Sequence, residues 1–405
     1  MVSAHRDLRT GKPVWEAYRA PAVPTSKLAR DIQCDVLVVG AGISGALTAE
    51  LLAADGHKVV IVDRRGPFRG STSANTALLL YEIDVPLSLL IRKIGEEKAV
   101  RAWRRSFLAL HGLAARTHFL GIPCDLAWRQ SIYLAGNVLH RAGLQRESEL
   151  RAAASFHSTY LSGPRLQGDF GIVAKGALLS EGSVEADPRR LTAGYLRSAL
   201  GQRARLYAPV DVTSVEAGAR IVHARTADGP TIKCRHLVFA TGYEVPRGVP
   251  MRGHKIVSTY AMATRPQTRR LWPGRCFIWE ASKPYLYART TPDGRVLAGG
   301  EDEEISDADA RDRLIAKKIP RIRAKLRRIL PTIDTRAAFQ WAGAFGTSST
   351  GLPTLGEVPG MKNCWAMLGF GGNGTTYARL GAEIIRSALA GKEDPDADLY
   401  AFPRS

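Results

Sequence analysis

The sequence has few of the features that mark secreted, metal-binding or membrane-spanning proteins. Its five cysteines are odd in number and form no Cys-x-x-Cys pair, so neither a disulfide framework nor a zinc site is predicted. The nine histidines do not cluster with carboxylates at metal-ligand spacing, so no metal is expected. No apolar run reaches the roughly 18 residues that span a bilayer, and the polar, basic segment 1–12 has no apolar stretch typical of a secretory signal. A reducing cytoplasm is therefore the expected location.

Acidic side chains are outnumbered by basic ones. The sequence has 57 Lys and Arg against 38 Asp and Glu, a formal net charge of +19. A field of that sign attracts anionic partners, such as a nucleotide, an acidic substrate, RNA or an anionic membrane surface. The densest basic stretch, 311–328, has apolar residues at helical spacing and predicts a surface helix pair with a solvated basic face, broken near Pro320. A dedicated nucleic-acid or membrane face is the open alternative.

The chain is long enough for two domains. It has 405 residues, 45% of them hydrophobic, which is ample for a sizeable core. Strand and helix patterns alternate near the start, whereas the middle is richer in short β segments. Nucleotide-binding signals recur near residues 40, 240 and 370, so we expect a cofactor domain built from separate segments, with a substrate domain inserted between them. The predicted bounds are an N-terminal arm at 1–33, a cofactor domain at 34–85, 180–250 and 340–395, a substrate domain at 86–179 and 251–339, and a C-terminal tail at 396–405.

The clearest motif is a glycine-rich turn between two buried strands. The apolar, β-branched run 35–39 predicts the first strand, and a helix is expected from about 44 to 55. The run 58–62 predicts the second strand, which ends at Asp63. A βαβ unit of this kind, with Gly-x-Gly-x-x-Gly between its first strand and its helix, indicates dinucleotide binding.

Each glycine and the acidic residue in this unit has a physical task. Gly40 allows the tight turn, Gly42 lets the backbone approach a pyrophosphate, and Gly45 lets the helix pack closely on the strand. Asp63 lies 18 residues beyond Gly45 and is placed to accept hydrogen bonds from the ribose hydroxyls, although the two arginines that follow leave NADP open. The residues predicted to contact the dinucleotide here are Gly40, Ala41, Gly42, Ile43, Ser44, Gly45, Asp63 and Arg64.

Three further segments accompany this unit. They are the Ser/Thr-rich loop at 69–78, the strand ending in Ala-Thr-Gly at 236–242, and the glycine-rich loop at 369–376, which precedes a helical stretch from about 377 to 389. With the βαβ unit, they resemble the D-amino-acid oxidase-like family of FAD-dependent oxidoreductases, which includes glycine and sarcosine oxidases and D-amino-acid dehydrogenases. The resemblance runs from about residue 35 to residue 399.

The resemblance implies non-covalent FAD and assigns its contacts. The Ser/Thr-rich loop would contact the pyrophosphate and the flavin ring, and the backbone of Val212 would meet the adenine. The last glycine-rich loop would present backbone N–H groups, at the positive end of a helix, to the pyrimidine edge of a reduced flavin. Without the resemblance, these segments are a helix-capping loop and an ordinary glycine turn. The implied contacts are Ser71, Thr72, Thr76, Ala77, Leu78, Val212, Thr241, Gly242, Gly371, Gly372, Asn373, Gly374 and Thr375.

The fold that the resemblance implies is of the α/β class. It comprises a Rossmann-like FAD-binding domain assembled from discontinuous segments and an inserted α+β substrate domain with a mostly antiparallel sheet. The family oxidises a C–N bond by moving hydride from the substrate carbon to the flavin, while the protein orients the substrate. We therefore expect a small amine or amino-acid-like substrate.

Substrate contacts are expected from a hairpin in the inserted domain. Two strand-like runs flank Pro-Asp-Gly at 292–294, which supplies the backbone conformation of a tight turn. The first run resembles the strand from which family members direct a tyrosine toward the substrate carboxylate. Tyr285 and Arg289 alternate onto one face, and Arg289 could hold a carboxylate through two hydrogen bonds. An exposed strand with aromatic pairs is the structural alternative; Glu301 and Asp302 receive a cationic amine or simply end the return strand.

The sequence lacks the residues with which members of the family bind a substrate carboxylate and activate O2. Ala344 and Phe345 stand where amino-acid oxidases often have an arginine, and Gly372 stands where glycine oxidases carry another. Leu297 occupies the position of the oxygen-activating lysine of sarcosine-oxidase-like members, which favours a dehydrogenase passing electrons to a quinone or another acceptor over an O2-using oxidase. The rival hypotheses are a flavoprotein that acts on or binds tRNA, and a peripheral dehydrogenase at an anionic membrane surface that feeds quinones.

Overall fold

The computed structural model describes residue 3 and residues 5–19 and 21–403. Within these residues the strands form two mixed sheets, and helices cover them. The strands are β1 (Arg9–Gly11), β2 (Ile32–Val39), β3 (Val59–Val62), β4 (Leu78–Leu79), β5 (Ala127–Leu134), β6 (Ser158–Ser162), β7 (Gly176–Glu185), β8 (Arg205–Tyr207), β9 (Val212–Glu216), β10 (Val222–Thr226), β11 (Thr231–Phe239), β12 (His254–Thr264), β13 (Phe277–Glu280), β14 (Leu286–Thr290), β15 (Val296–Glu303), β16 (Ala337–Ser348), β17 (Thr354–Glu357) and β18 (Cys364–Leu368). The helices are α1 (Ile43–Ala54), α2 (Leu87–Ile94), α3 (Glu96–Phe119), α4 (Arg141–Ala153), α5 (Gly163–Phe170), α6 (Pro188–Gly201), α7 (Ala308–Arg313), α8 (Ile315–Ile329) and α9 (Gly374–Leu389).

The first sheet is built around the β2–α1–β3 unit. Its order is β17-β18-β11-β2-β3-β8, and β2 runs parallel to both β11 and β3. Val36 and Val38 of β2 pack toward the helices α1, α3, α6 and α9, whereas Leu37 faces the opposite side, which β9 and β10 cover. Because β2 is apolar on both faces, it is stable only between two such layers.

The second sheet is larger and mostly antiparallel. Its order is β1-β16-β12-β15-β14-β13-β5-β7-β4, with β6 paired to β7, and the β13–β5 pair is parallel. Helix α8 packs on β12, β15 and β16 through a row of buried isoleucines and leucines. The two sheets confirm the predicted α/β class, with a nucleotide-type sheet and a mostly antiparallel second sheet.

The local predictions around the motifs are confirmed. Helix α1 and strands β2 and β3 lie where the βαβ pattern places them. β14 and β15 form the predicted hairpin, and Gly294 turns it with a φ of 82° while its N–H donates to the Thr291 carbonyl at 2.9 Å. Helix α9 begins at Gly374, three residues before the expected start, because the glycine-rich loop itself enters the first turn.

The predicted domain bounds differ from the sheet borders. The cofactor-domain segments that start at 180 and 340 begin inside β7 and β16, and both strands belong to the second sheet. β7 pairs with β5 from Ala177 to Glu185, and α6 follows, capped by Asp187. The Asp187 side chain accepts hydrogen bonds from N–H groups in the first turn of α6, so the chain changes there from strand β7 to helix.

The predicted N-terminal arm is anchored to the second sheet and to the core. β1 pairs with β16, and Val14 and Trp15 are fully buried. The indole of Trp15 donates to the Asn75 carbonyl at 2.7 Å. Large apolar side chains are expensive to leave in water, so this segment packs into the core between the sheets. At the other end, Tyr400 in the predicted tail is also buried, and its carbonyl accepts the N–H of Leu355 at 2.7 Å.

The basic helix pair breaks at Leu314, whereas the sequence predicted a break near Pro320. Pro320 lies inside α8, and the buried side chains of Ile319 and Ile322 hold both neighbouring turns on the sheet, which offsets the lost backbone hydrogen bond. The basic face is only partly solvated, because Lys318 and Arg311 are buried.

Across the described part of the chain, none of the helices combines the length and the apolar character that a bilayer crossing requires.

A buried ion network anchors the start of α2. The guanidinium of Arg151 donates to Glu147 at 2.8 Å and to Glu82 at 2.5 Å, and all three side chains are at most 1% exposed. The Glu147 carboxylate also accepts the N–H groups of Leu87 and Ser88, both at 2.8 Å. One arginine therefore neutralises two carboxylates that together hold the first turn of α2.

We expect Arg151→Met to lower the free energy of unfolding by about 3–5 kcal/mol, because it leaves two buried carboxylates without a cation. The matched control is Arg165→Met, which breaks an exposed pair with Asp169 (3.5 Å) and should change that free energy by at most about 1 kcal/mol. Urea denaturation followed by circular dichroism measures both. Equal losses in the two variants would contradict the assignment.

Candidate active site

One large cavity lies between the two sheets. Its volume is about 1140 Å³, somewhat above the roughly 300–1,000 Å³ usual for ligand pockets. Its walls include the glycine turn after β2, the Ser/Thr-rich loop, the end of β11 and the glycine-rich loop before α9. The cavity continues along β12, β14, β15 and β16 of the second sheet. The two glycine loops, 330 residues apart in sequence, therefore share one space.

The first glycine loop leaves no room for side chains. Gly40 has a φ of 116°, and a Cβ there would lie 2.3 Å from the Ala240 carbonyl oxygen. A Cβ on Gly45 would lie 1.8 Å from the Gly40 carbonyl oxygen. Gly42 caps α1 without a side-chain hydrogen bond, so the helix N-terminus is open toward the cavity. A helix start of this kind binds a phosphate through its free N–H groups and its dipole.

Asp63 braces this loop from the end of β3. Its carboxylate accepts the N–H groups of Ala41 at 2.7 Å, Arg65 at 2.7 Å and Gly66 at 2.8 Å. Burial raises the pKa of Asp63, and the three backbone N–H groups oppose that rise. The side chain also lines the cavity. Asp63 therefore braces the loop, and its predicted contact with the ribose hydroxyls remains a prediction.

The Ser/Thr-rich loop faces the same helix start. Thr72 accepts the Ile43 N–H at 3.1 Å, which holds the loop against α1. The hydroxyl oxygen of Ser71 is buried and has no hydrogen-bond partner among the described residues, yet Ser71 lines the cavity. A buried hydroxyl without a partner is unfavourable unless a ligand supplies one. A pyrophosphate oxygen would satisfy it, so the residues present fit a dinucleotide such as FAD.

The C-terminal glycine loop reaches the other part of the cavity. Gly371 and Gly372 line it, and the N–H of Gly372 donates to Asp84 at 2.6 Å. Asn373 turns away from the cavity, because its amide donates to the carbonyls of Leu80 and Glu82, both at 3.0 Å. Asn373 thereby fixes the loop from behind, while the backbone of the glycines forms the wall.

The structure brings most of the predicted cofactor contacts together. Those that line the cavity are Gly40, Gly42, Ile43, Ser44, Asp63, Arg64, Ser71, Thr72, Thr76, Leu78, Val212, Thr241, Gly242, Gly371, Gly372 and Gly374. The predicted contacts that stand behind the wall are Ala41, Gly45, Ala77, Asn373 and Thr375.

Of the two predicted substrate-orienting residues, Tyr285 lines the cavity and Arg289 does not. The Arg289 guanidinium is buried and donates to the carbonyls of Ala77 at 2.5 Å and Ala186 at 3.3 Å. Arg289 lies four residues beyond Tyr285, which is about 13 Å along an extended strand. Its side chain therefore lies beyond the end of the cavity. It braces the Ser/Thr-rich loop, and a role in holding a substrate carboxylate does not fit its position.

Several cavity residues escaped the sequence reasoning. Asp84 lies in the turn before α2 and belongs to no motif, and its partner Gly372 is 288 residues away. Tyr243 and Trp279 also line the cavity. The side chain of Asp84 is exposed where the cavity meets it, and the surrounding protein raises the pKa of its carboxyl to about 6, although the Gly372 N–H opposes that rise. Nothing in the sequence near Asp84 indicates this environment.

We expect Gly45→Ala to abolish FAD retention or weaken FAD binding by at least about tenfold, since the added methyl group forces α1 away from β2. The control is Gly168→Ala in α5, where a Cβ meets nothing within 4 Å. FAD content after reconstitution and fluorescence titration with FAD measure the effect. Unchanged FAD affinity in Gly45→Ala would contradict the assigned role of the loop.

Comparison with known proteins is consistent with this geometry. The bifunctional protein MnmC of Burkholderia vietnamiensis, named for tRNA 5-methylaminomethyl-2-thiouridine biosynthesis, is 26% identical over 89% of this chain, which spans 57% of MnmC. The gamma-glutamylputrescine oxidoreductase of Escherichia coli K12 is 24% identical, over 94% of this chain and 90% of that protein.

Solved structures and a family model give the same result. The glycine oxidase of Geobacillus kaustophilus superposes with a TM-score of 0.77 over 92% of this chain and 99% of that one, at 19% identity, so the fold is shared. The model of the DAO family, described as FAD-dependent oxidoreductase, matches residues 35–388. The resemblance inferred from the motifs is thereby confirmed: the chain belongs to the DAO family of FAD-dependent oxidoreductases.

Proposed function

We propose that the protein oxidises a C–N bond of an amine or amino-acid derivative, with FAD bound non-covalently. One observation carries this proposal: the cavity that joins the two glycine loops continues into a polar end lined by Tyr285, Tyr287 and Asp302. A single space of this kind accommodates a dinucleotide and a small substrate side by side. The gamma-glutamylputrescine oxidoreductase, similar along nearly its whole length, supports the same reaction class.

The protein's own groups divide the work between the two ends of the cavity. The start of α1 and the hydroxyl of Ser71 would hold the pyrophosphate, and the start of α9 would face the flavin. FAD, when bound, supplies the hydride acceptor. At the polar end, Tyr285 donates its hydroxyl to Asp302 at 2.9 Å and is thereby held in one orientation. The aromatic side chains of Tyr133 and Trp279, stacked at 3.9 Å, form an apolar wall that keeps water from the reacting end.

We also propose a cellular location and an electron acceptor for the protein. The cytoplasm, with an anionic membrane surface as a peripheral site, is the proposed location. Leu297, fully buried in β15, stands where the family resemblance implies an oxygen-activating lysine in sarcosine-oxidase-like members. This residue supports transfer of electrons to a quinone or another acceptor over direct use of O2.

Anaerobic mixing of the FAD-loaded protein with a substrate panel tests the proposal. The panel contains alkyl amines, N-methyl amino acids and D-amino acids, and a substrate bleaches the visible absorption of the flavin. We expect bleaching by at least one of these classes and none by the matching alcohols, which offer no C–N bond. Retained flavin colour with every member of the panel would refute the proposed reaction, and failure to bind FAD after reconstitution would refute the cofactor.

A second candidate function is action on tRNA. Two observations favour it: the net charge of +19 and the similarity to a protein named for tRNA modification, of which this chain spans 57%. An enzyme of this kind would accept the aminomethyl group of a modified base as its amine. The cavity described above would then serve a substrate presented at the end of a long nucleic acid.

Fluorescence anisotropy with labelled tRNA over a salt series tests this candidate. Phosphate contacts release counterions, so we expect affinity to fall about 10³-fold or more between 50 and 200 mM salt if six or more phosphates are engaged. A DNA duplex of equal length is the competitor that reveals preference for tRNA. Negligible tRNA affinity at low salt would eliminate this candidate and leave the small-molecule reaction untouched.

A further inference from the structure

Helix α8 has seven lysines and arginines and no acidic residue. The structure divides these cations into two groups, and the inner group is bound by the second sheet and its loops. The Lys318 ammonium contacts Glu303 and the Lys325 ammonium contacts Glu301, each at 2.6 Å. The Arg323 guanidinium donates to a backbone carbonyl at 2.9 Å. The inner cations therefore serve to hold the helix in place.

The exposed side chains of α8 form the outer group. They are small uncharged residues and cations only, namely Ala316, Lys317, Pro320, Arg321, Ala324, Arg327 and Arg328. We call the four cations among them the outer row: Lys317, Arg321, Arg327 and Arg328. Residues three and four apart share one side of a helix, so the row follows a single face. From Lys317 to Arg328 it extends about 16 Å along the helix axis.

The positive charge of the outer row is largely uncompensated. Among the ion pairs that the described residues form, none includes Lys317 or Arg327. The other two outer-row arginines approach carboxylates only to 3.8 and 4.0 Å, and their side chains are 50% and 71% exposed. Exposed pairs of this kind contribute about 1 kcal/mol or less. The row is therefore available to an anionic partner.

The outer row borders the opening of the cavity at its polar end. Arg321 and Lys283 both line the cavity and are both exposed, so the cavity reaches the surface beside them. The Lys325 ammonium donates to the Pro284 carbonyl at 2.8 Å, which holds the turn with Lys283 against α8. An anionic partner bound along the row would consequently pass the opening, where Tyr285 lies in the cavity wall.

The spread and composition of the row favour a nucleic acid over other anions. A small anion is held by a few converging groups, whereas these cations are distributed along four helical turns. A helix that binds a membrane surface exposes bulky apolar side chains, but the isoleucines and the leucine of α8 pack mainly against the second sheet. Three of the four outer-row cations are arginines, which bind phosphate through two parallel hydrogen bonds. An extended series of phosphates fits this face.

We propose that the outer row and Lys283 bind the phosphodiester backbone of a tRNA, so that an amine-bearing nucleotide lies at the opening of the cavity. This inference rests on the second candidate function, because it requires a nucleic acid as the substrate. The row contacts phosphates and takes no part in the oxidation. It gives a function to the basic stretch that the sequence left open between a solvated face and a dedicated surface.

Fluorescence anisotropy with labelled tRNA and FAD-loaded protein compares two double variants. Lys317→Gln with Arg327→Gln removes two outer-row charges that lie outside the cavity wall. Lys27→Gln with Arg30→Gln removes two exposed charges from the segment before β2 and is the matched control. We expect the outer-row variant to bind tRNA at least about tenfold more weakly at about 100 mM salt, and its slope of log affinity against log salt to fall by about 1.4–1.8, since two phosphate contacts are lost. The control should keep the affinity of the unaltered protein within about twofold. FAD content verifies that both variants fold.

Lysine acetylation read by mass spectrometry tests the same surface without any variant. Bound tRNA should protect Lys317 and Lys283 from the reagent, because phosphates then cover their ammonium groups. Lys27, which is exposed but lies outside the row, should be modified equally with and without tRNA.

The outcomes separate this inference from the two candidate functions. Equal loss of tRNA affinity in both double variants, or unprotected Lys317 with tRNA bound, overturns the inference and leaves action on tRNA standing. Negligible tRNA affinity at low salt overturns both, while oxidation of a small amine remains open to the bleaching test. Flotation with phosphatidylglycerol vesicles addresses the membrane: vesicle binding lost in the outer-row variant, with unchanged tRNA affinity, would also overturn the inference.

Discussion

The contact between α1 and the turn that precedes it is the constraint on which the rest of the site depends. The Gly45 backbone packs against the Gly40 carbonyl so closely that a Cβ would lie 1.8 Å from it. This contact directs the open end of α1 into the cavity. Asp63 holds the turn from the next strand, and Ala240 closes on Gly40 from β11. The three neighbouring strands thus share one tightly packed point, and the cavity begins there.

The second sheet contributes chemistry that the first lacks. The nucleotide sheet supplies backbone N–H groups and small hydroxyls, whereas the hairpin of β14 and β15 brings Tyr285 and Asp302 to the opposite end of the cavity. Arg289 links the two units, since it extends from β14 to the Ala77 carbonyl in the Ser/Thr-rich loop. This buried hydrogen bond fixes the position of the substrate wall relative to the cofactor wall.

The features that local sequence could predict are those that depend on short-range spacing. The βαβ unit, the hairpin at Gly294 and helix α9 follow from patterns a few residues long, and the structure has all of them. The residues that were missed or misassigned depend on partners far along the chain. Asp84 meets Gly372 across 288 positions, and Arg289 meets Ala77 across 212. Alternation along the strand predicts which face of β14 carries the Arg289 side chain. It does not predict where the cavity ends, because that depends on how the two sheets pack.

The N-terminal segment carries a consequence for the lifetime of the bound nucleotide. Ser3 and Leu8 line the cavity at its nucleotide end, and the backbone of Arg6 is held between Arg65 and Glu244 at 2.9 and 2.8 Å. A ligand seated beneath this strap cannot leave along that side until these bonds part. We therefore expect the release rate of a bound nucleotide to depend on these N-terminal hydrogen bonds as well as on the phosphate contacts.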